Sequence, residues 1–481
     1  MNNVVIIGGG ITGLTAAWHL NKQNPSLRIT LLEEKQQPGG KIRTVHDQLF
    51  TIDGGPDSFI TQKPWGIELC RELGIEDRML PCNQDRQQAS ILYRGRLVPL
   101  PSGFRFSIPT RIMPLVRTPL FSASGKLRMM MEPFVPPKQS DEDESVAEFM
   151  RRRFGREAAD RLAGPLMAGI YVSDPERLSL PATFSQFAEI ERKHGSLIKA
   201  ARKAVRIGLG DKSGSQPSGQ AMFMSLQNGM AELVKALLNR MSGTIIKTGM
   251  KARRIECSGG KFIVHAGSEQ FTADHVVLAI PAHTASYLID PLNPECSRLM
   301  NQIRFVSTAT VALGYKDPFE GRVPPITGFG FVVPESEKRD ILACTWSSNK
   351  FNARAPDKHD LFRMFMGGPW REDNAHRSDK DLIDLGRSEL NELLGIRKKP
   401  VIRTIFRWPR ANPQYDVGHR DIVTSIEEQL HTFRGLHIAG SSYHGIGIPD
   451  CIRSARRAAD RILDNVGMET PNNAAREKRT K

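Results

Sequence analysis

Residues 4–14 read VVIIGGGITGL. Val4 to Ile7 are four β-branched residues in a row, which suits a buried strand. A glycine cluster follows, and residues 12–23 then suit a helix. Gly8, Gly10 and Gly13 have the spacing GxGxxG, with Gly9, Ile11 and Thr12 between them. In this pattern the first glycine permits a tight turn and the second lets a pyrophosphate approach the backbone. The third lets helix and strand pack closely. The helix N-terminus then offers unpaired N–H groups and the positive end of its dipole to the phosphates. Residues 27–34, LRITLLEE, suit a second, parallel strand, which makes a βαβ unit with a right-handed crossover. That strand ends in Glu33 and Glu34, and Glu33 follows Gly13 by 20 residues. A carboxylate there accepts ribose hydroxyls and repels a 2′-phosphate, which argues against NADP.

Two more glycine stretches decide which nucleotide this is. PGGKIRT (38–44) carries Lys41, and DGGPDSF (53–59) carries Gly55, Pro56, Asp57 and Ser58. An NAD domain has no need of them. A long flavin does, because the backbone must run along its ribityl chain and ring. A third stretch, IAGSSYHGIGIPD (438–450), lies near the other end of the chain. A helix starting near Pro449 and Asp450 can aim its N-terminus at the flavin N1–C2=O region, where negative charge builds on reduction. The expected ligand is FAD, and the first and last parts of the chain are expected to fold together around it.

The remaining sequence bounds the rest. A chain of 481 residues predicts two or three domains. At 40% hydrophobic and 25% charged it reads as globular. No apolar run reaches the length of a membrane span, and the start reads as that of a mature, non-secreted chain. The six cysteines, Cys70, Cys82, Cys257, Cys296, Cys344 and Cys451, form no CxxC pair, so zinc and thioredoxin-type chemistry are unsupported and a reducing compartment is expected. The twelve histidines have no HExxH spacing, so no metal site is expected. A net charge of +15 points to an anionic partner: an acidic small molecule, an acidic membrane face or, last, nucleic acid, for which no recognition module is visible.

The ordered series VVIIGGGITGL, GGKIRT, GGPDSF, LFSASGK, PLMAGIYVSDPERLSLPATFSQF, ACTWSS, RWPRANPQYDVGH and GIGIPDCI resembles the flavin-containing amine oxidase superfamily. More narrowly, it resembles its bacterial oxygen-dependent coproporphyrinogen/protoporphyrinogen oxidases of the Gram-positive type. The resemblance implies an α/β fold. A discontinuous Rossmann-like FAD domain (1–80, 220–288 and 404–466) joins a mixed α+β substrate domain (81–104 and 289–403). A helical, membrane-associating insertion (105–219) and a disordered basic tail (467–481) complete it. Residues 210–220, GDKSGSQPSGQ, read as a polar, flexible loop.

Carried over motif by motif, the resemblance places the pyrophosphate on Gly8 to Gly13 and the ribose on Glu33 and Glu34. It places Lys41 by the phosphate and ribityl, and Gly55 to Ser58 beside the flavin. Ala252 falls by the adenine, Trp408 near the isoalloxazine, and Ile446, Gly447 and Ile448 over the pyrimidine end. FAD is expected to be non-covalent. The implied reaction is a six-electron oxidation of a porphyrinogen with O2 as acceptor in heme synthesis, carried by the flavin, so no catalytic side chain is named. The tetrapropionate coproporphyrinogen III suits a cationic chain better than protoporphyrinogen IX. Lys63, Arg94, Arg96 and Arg363 are candidate propionate partners. Phe365 stands where some relatives carry tyrosine, which keeps ring stacking and removes a hydrogen bond.

The implied setting is cytoplasmic, at most peripheral on the inner membrane face, with ferrochelatase as the next enzyme and a candidate partner. The alternatives are protoporphyrinogen IX oxidation, an amine oxidase or desaturase on the same scaffold, a non-enzymatic porphyrin carrier, and a basic membrane-docking protein.

Overall fold

The four β-branched residues of the opening stretch are buried on both faces of β1 (Asn3–Ile7). Burial on both faces is what an all-parallel sheet with two covered sides requires. Each such side chain contributes roughly 1.5–3 kcal/mol. β1 pairs in parallel with β2 (Arg28–Leu32) on one side and with the strand His275–Leu278 on the other. Thr244–Lys247 and Leu436–Ile438 complete a five-stranded parallel sheet. Between β1 and β2 runs α1 (Ile11–Gln23). It shares one core with the long helix Ile448–Glu477 through Leu14, Ala17 and Trp18 against Ile452, Ala455 and Ala459. The opposite face is covered by the helices Ala282–Ile289, Pro294–Gln302 and His419–Leu430 and by a three-stranded meander that starts at Ala252. The Rossmann-like α/β arrangement expected from the sequence is therefore present. The computed structural model describes residues 2–86, 88–101, 104–105, 108–109, 112–206 and 221–477.

A second, seven-stranded sheet runs in the order Ile402–Pro413, Phe305–Lys316, His359–Gly367, Ile341–Trp346, Gly330–Val332, Ala89–Tyr93, Arg96–Pro99. Its central strand Phe305–Lys316 is buried on both faces up to Tyr315, so the sheet is covered on both sides. Phe362, Met364 and Met366 share a core with the helix Asp379–Leu394. Arg363 and Phe365 point to the other face. The strand Ile402–Pro413 is integral to this sheet, paired with Phe305–Lys316 from Phe305 to Gly314. A domain boundary at 404 would cut it, so the chain leaves this sheet only after Pro413.

The helical insertion packs around Phe149, Phe184 and Phe187 and meets the seven-stranded sheet at Ile91. Its interior holds ions. Arg153 and Glu132 are both fully buried and form an ion pair. Glu132 also accepts from the backbone N–H groups of Leu197 (2.9 Å) and Ile198 (3.2 Å), at the start of the helix Leu197–Arg206. A buried carboxylate needs such donors to offset its desolvation, and the helix start needs an acceptor. The expected loop at 210–220 lies outside the described residues. The terminal helix runs to Glu477, past the boundary expected at 467, and 478–481 lie outside the described residues.

Candidate functional site

The glycines of the first loop have different reasons to be glycine. A Cβ on Gly13 would stand 1.9 Å from the carbonyl oxygen of Gly8, so the strand-to-helix packing itself forbids one. A Cβ on Gly10 would meet only Gly40 Cα, at 4.0 Å, an ordinary van der Waals contact. Folding therefore does not require glycine at position 10. α1 begins at Gly10 with no side-chain cap, leaving the first-turn N–H groups, on Ile11 and Thr12 among others, without an intrahelical acceptor. The second glycine stretch closes the other side: Gly39 N–H donates to Gly9 O at 2.7 Å. An open concavity lined by free backbone donors at a positive helix end fits a pyrophosphate.

Glu33 closes β2 nearly buried, its carboxylate accepting from Gly9 N–H (2.7 Å) and Lys35 N–H (2.8 Å). Two bonds leave lone pairs free for a ribose. Glu34 points away and pairs with Lys251 at 2.8 Å on the surface. Met250 N–H donates to Glu33 O, so the segment leading to Ala252 runs beside the end of β2.

Lys41 joins the second and third glycine stretches. Its Nζ donates to Ala411 O at 2.6 Å and Ser441 Oγ at 3.3 Å, and burial holds its ammonium below the usual lysine range. Cys451, in the first turn of the helix that Ile448 opens, is buried, and burial pushes its thiol up to about 11. A neutral thiol is a poor nucleophile.

Beside Gly55, Pro56 and Ser58 lies an ion cluster. Asp57 pairs with Lys350 (2.9 Å) and with Arg363 (3.0 Å). Burial opposes its ionisation, but the two cations override this and hold its carboxyl well below the usual range. Arg363 also donates to Gly55 O at 2.6 Å, and its guanidinium lies 5.4 Å from the Phe365 ring. Trp408 Nε1 donates to Gly54 O at 3.1 Å, and its ring stacks on Phe406. The segment 54–58 is thus bolted to the face of the seven-stranded sheet opposite the helix Asp379–Leu394, with the half-buried Phe365 and Trp408 flanking it. Beneath it, the buried Arg354 faces Asp53 at 3.5 Å and donates to Ser225 Oγ.

The four cations expected to meet the propionates do not form one group. Arg363 is 1% exposed and committed to Asp57 and Gly55, so it holds the protein's own loop. Lys63 is bound through Nζ to both oxygens of Asp450 (2.7 and 2.6 Å), at the start of the terminal helix. Arg94 and Arg96 are exposed at the tip of the hairpin that joins Ala89–Tyr93 to Arg96–Pro99. Sequence reasoning missed Lys350, Arg354, Tyr415 and His419. Tyr415 and His419 stand inside the motif RWPRANPQYDVGH, but nothing local gives them a role. Among the described residues no group of three His, Cys, Asp or Glu could hold a metal.

The family model for flavin-containing amine oxidoreductases matches residues 11–463. The chain belongs to that family. This flavin-dependent oxidoreductase uses FAD. The chain is similar to the coproporphyrinogen III oxidase of Bacillus subtilis, 36% identical over 96% of this chain and 98% of that protein. It is also similar to the coproporphyrinogen III oxidase of Staphylococcus aureus, 31% identical over 96% and 99%. A solved structure from Exiguobacterium sp., provisionally assigned as a protoporphyrinogen oxidase, superposes with a TM-score of 0.85 at 32% identity, over 96% of this chain and 98% of that one. The amine oxidoreductase family thus covers the chain from α1 to the terminal helix.

Proposed function

We propose that the chain oxidises coproporphyrinogen III to coproporphyrin III in heme synthesis, consuming three O2 and releasing three H2O2. The reading is carried by near-full-length similarity to proteins named for that reaction. When bound, FAD would supply the hydride-accepting and oxygen-reducing chemistry. The chain's own residues hold and shape. Backbone N–H groups around Gly10 grip the pyrophosphate, Glu33 the ribose, and Ala252 the adenine end. The segment Gly55–Ser58, fixed by Arg363 and Trp408, supports the ring, with Ile446, Gly447 and Ile448 at its far end. Phe365 offers an apolar platform for a planar macrocycle. The neutral, buried thiol of Cys451 favours non-covalent flavin.

The same reading assigns the segments around the parallel sheet to the cofactor and the seven-stranded sheet to the substrate. It also gives the helical insertion a peripheral membrane contact. Met113, Val116, Leu127, Met131 and Phe134 are exposed apolar side chains on that insertion, and Arg117, Lys126 and Arg128 lie among them in sequence. No helix among the described residues is long and apolar enough to cross a membrane. Hand-over of product to ferrochelatase belongs to the same reading.

The test is direct. Purified yellow protein is given coproporphyrinogen III and protoporphyrinogen IX in separate air-saturated cuvettes, and porphyrin fluorescence is followed. Faster growth with the tetrapropionate is expected. Equal or reversed rates would move the enzyme to protoporphyrinogen, and silence in both, with flavin bound, would leave a carrier or an amine oxidase. Acid precipitation is expected to release free FAD into the supernatant.

A further inference from the structure

Two side chains nothing above accounts for, Tyr415 and His419, meet at the third glycine stretch. Tyr415 is buried, and its hydroxyl donates to Ser441 O at 2.8 Å while accepting from Gly445 N–H at 2.8 Å. One oxygen thus spans the loop from Ser441 to Gly445, the residue before Ile446. Its ring stacks on His419, with centroids 3.8 Å apart. His419 donates from Nε2 to Tyr443 O at 3.0 Å, between those two anchors. Burial lowers the His419 pKa to about 4, so the ring is neutral and keeps this tautomer at ordinary pH. Three backbone groups of one five-residue loop are therefore held by two buried rings. Ser441 in turn touches Lys41.

The same segment is tied in the opposite direction to the helical insertion. Ser179 N–H donates to Tyr415 O at 2.8 Å, and Val417 N–H to Arg177 O at 2.8 Å. Asp143 accepts from Gly418 N–H at 2.8 Å, and Gln414 donates to Val172 O at 3.1 Å. Arg177 pairs with Asp416 at 2.8 Å. Residues 414–419 thus stand between the helical insertion and the loop that leads into Ile446–Ile448.

We infer that Tyr415 is a positioning residue that sets the loop 441–448 against the flavin and couples its geometry to the helical insertion, with His419 as its support. This rests on the reading of that loop as cofactor-facing. The phenol does no chemistry; it fixes where the loop's N–H groups and the terminal helix point, which tunes the charge that the reduced ring can carry.

The test compares the holoenzyme with Tyr415→Phe, which removes one oxygen and keeps the stacked ring. FAD is expected to dissociate roughly tenfold more readily, the size set by losing hydrogen bonds of this kind. The visible flavin bands and the midpoint potential are expected to shift, and kcat to fall with KM for the porphyrinogen unchanged. His419→Ala, which removes one of the three anchors, should move the same readouts less and in the same direction. Wild-type FAD affinity, spectrum and potential in both variants would overturn the inference, even if the apoprotein melts earlier. A wild-type protein that binds no FAD would instead overturn the cofactor-facing reading itself.

Discussion

Glycines in one motif answer to different constraints, and the difference can be measured. Gly13 is fixed by packing, whereas a Cβ on Gly10 would make only an ordinary contact with Gly40. Gly10→Val should leave the fold intact, with apoprotein stability within about 1 kcal/mol of wild type. It should also purify colourless and inactive, because the new methyls occupy the phosphate's place. Absorbance at 450 nm per protein, beside a thermal melt, decides it: a yellow, active variant would remove the pyrophosphate from this loop. Arg363 teaches the same lesson in reverse. From sequence it is one cation among many. In the fold it is spent on Asp57 and Gly55, residues about 300 positions earlier in the chain. No window of sequence reports such a pairing.

At the level of elements, what can be read in the sequence is what is local. β1, α1 and β2 follow from β-branched runs, glycine spacing and an acidic strand end, all within about thirty residues. The order of the seven-stranded sheet depends on strands hundreds of residues apart, so its membership cannot be read locally, and the expected boundary at 404 falls inside its edge strand. Buried histidines on these elements also carry a pH signature. Burial lowers His437, on the strand Leu436–Ile438, to about 3, and His419, at the start of its helix, to about 4. Unfolded, each titrates near 6.5. Below that pH the unfolded chain takes up protons the folded one refuses, so stability is full above about 6.5 and declines as pH falls. Between pH 6.5 and 5 each histidine should cost roughly 1.5 kcal/mol. Urea midpoints of the apoprotein across that range should fall, and His437→Asn should flatten the decline by one histidine's share. An unchanged slope in the variant would show that His437 titrates in the folded state as it does unfolded.

For the whole molecule, charge and exposed apolar surface act together. The chain carries a net +15, and its helical insertion displays Phe134 at 82% exposure and Leu127 at 57%. A chain with this positive charge and these exposed apolar side chains should sediment with liposomes rich in anionic lipid, and leave them as salt shortens the reach of the charges. Recovery in the supernatant with anionic and neutral vesicles alike would assign those side chains another purpose.

The order of strands in the parallel sheet also sets a timetable for biosynthesis. β2 leaves the ribosome early, while the strand at 436–438 and the helix that covers α1 come roughly 400 residues later. At about 5–20 residues per second that is a wait on the order of 20–80 s. Through that wait α1 has an uncovered apolar flank, and for its last roughly 160 residues the strand 275–278 presents an unpaired apolar edge. Lys41 has neither Ala411 nor Ser441 to reach. A nascent chain stalled before residue 436 should therefore be an aggregation hazard and not a slow enzyme.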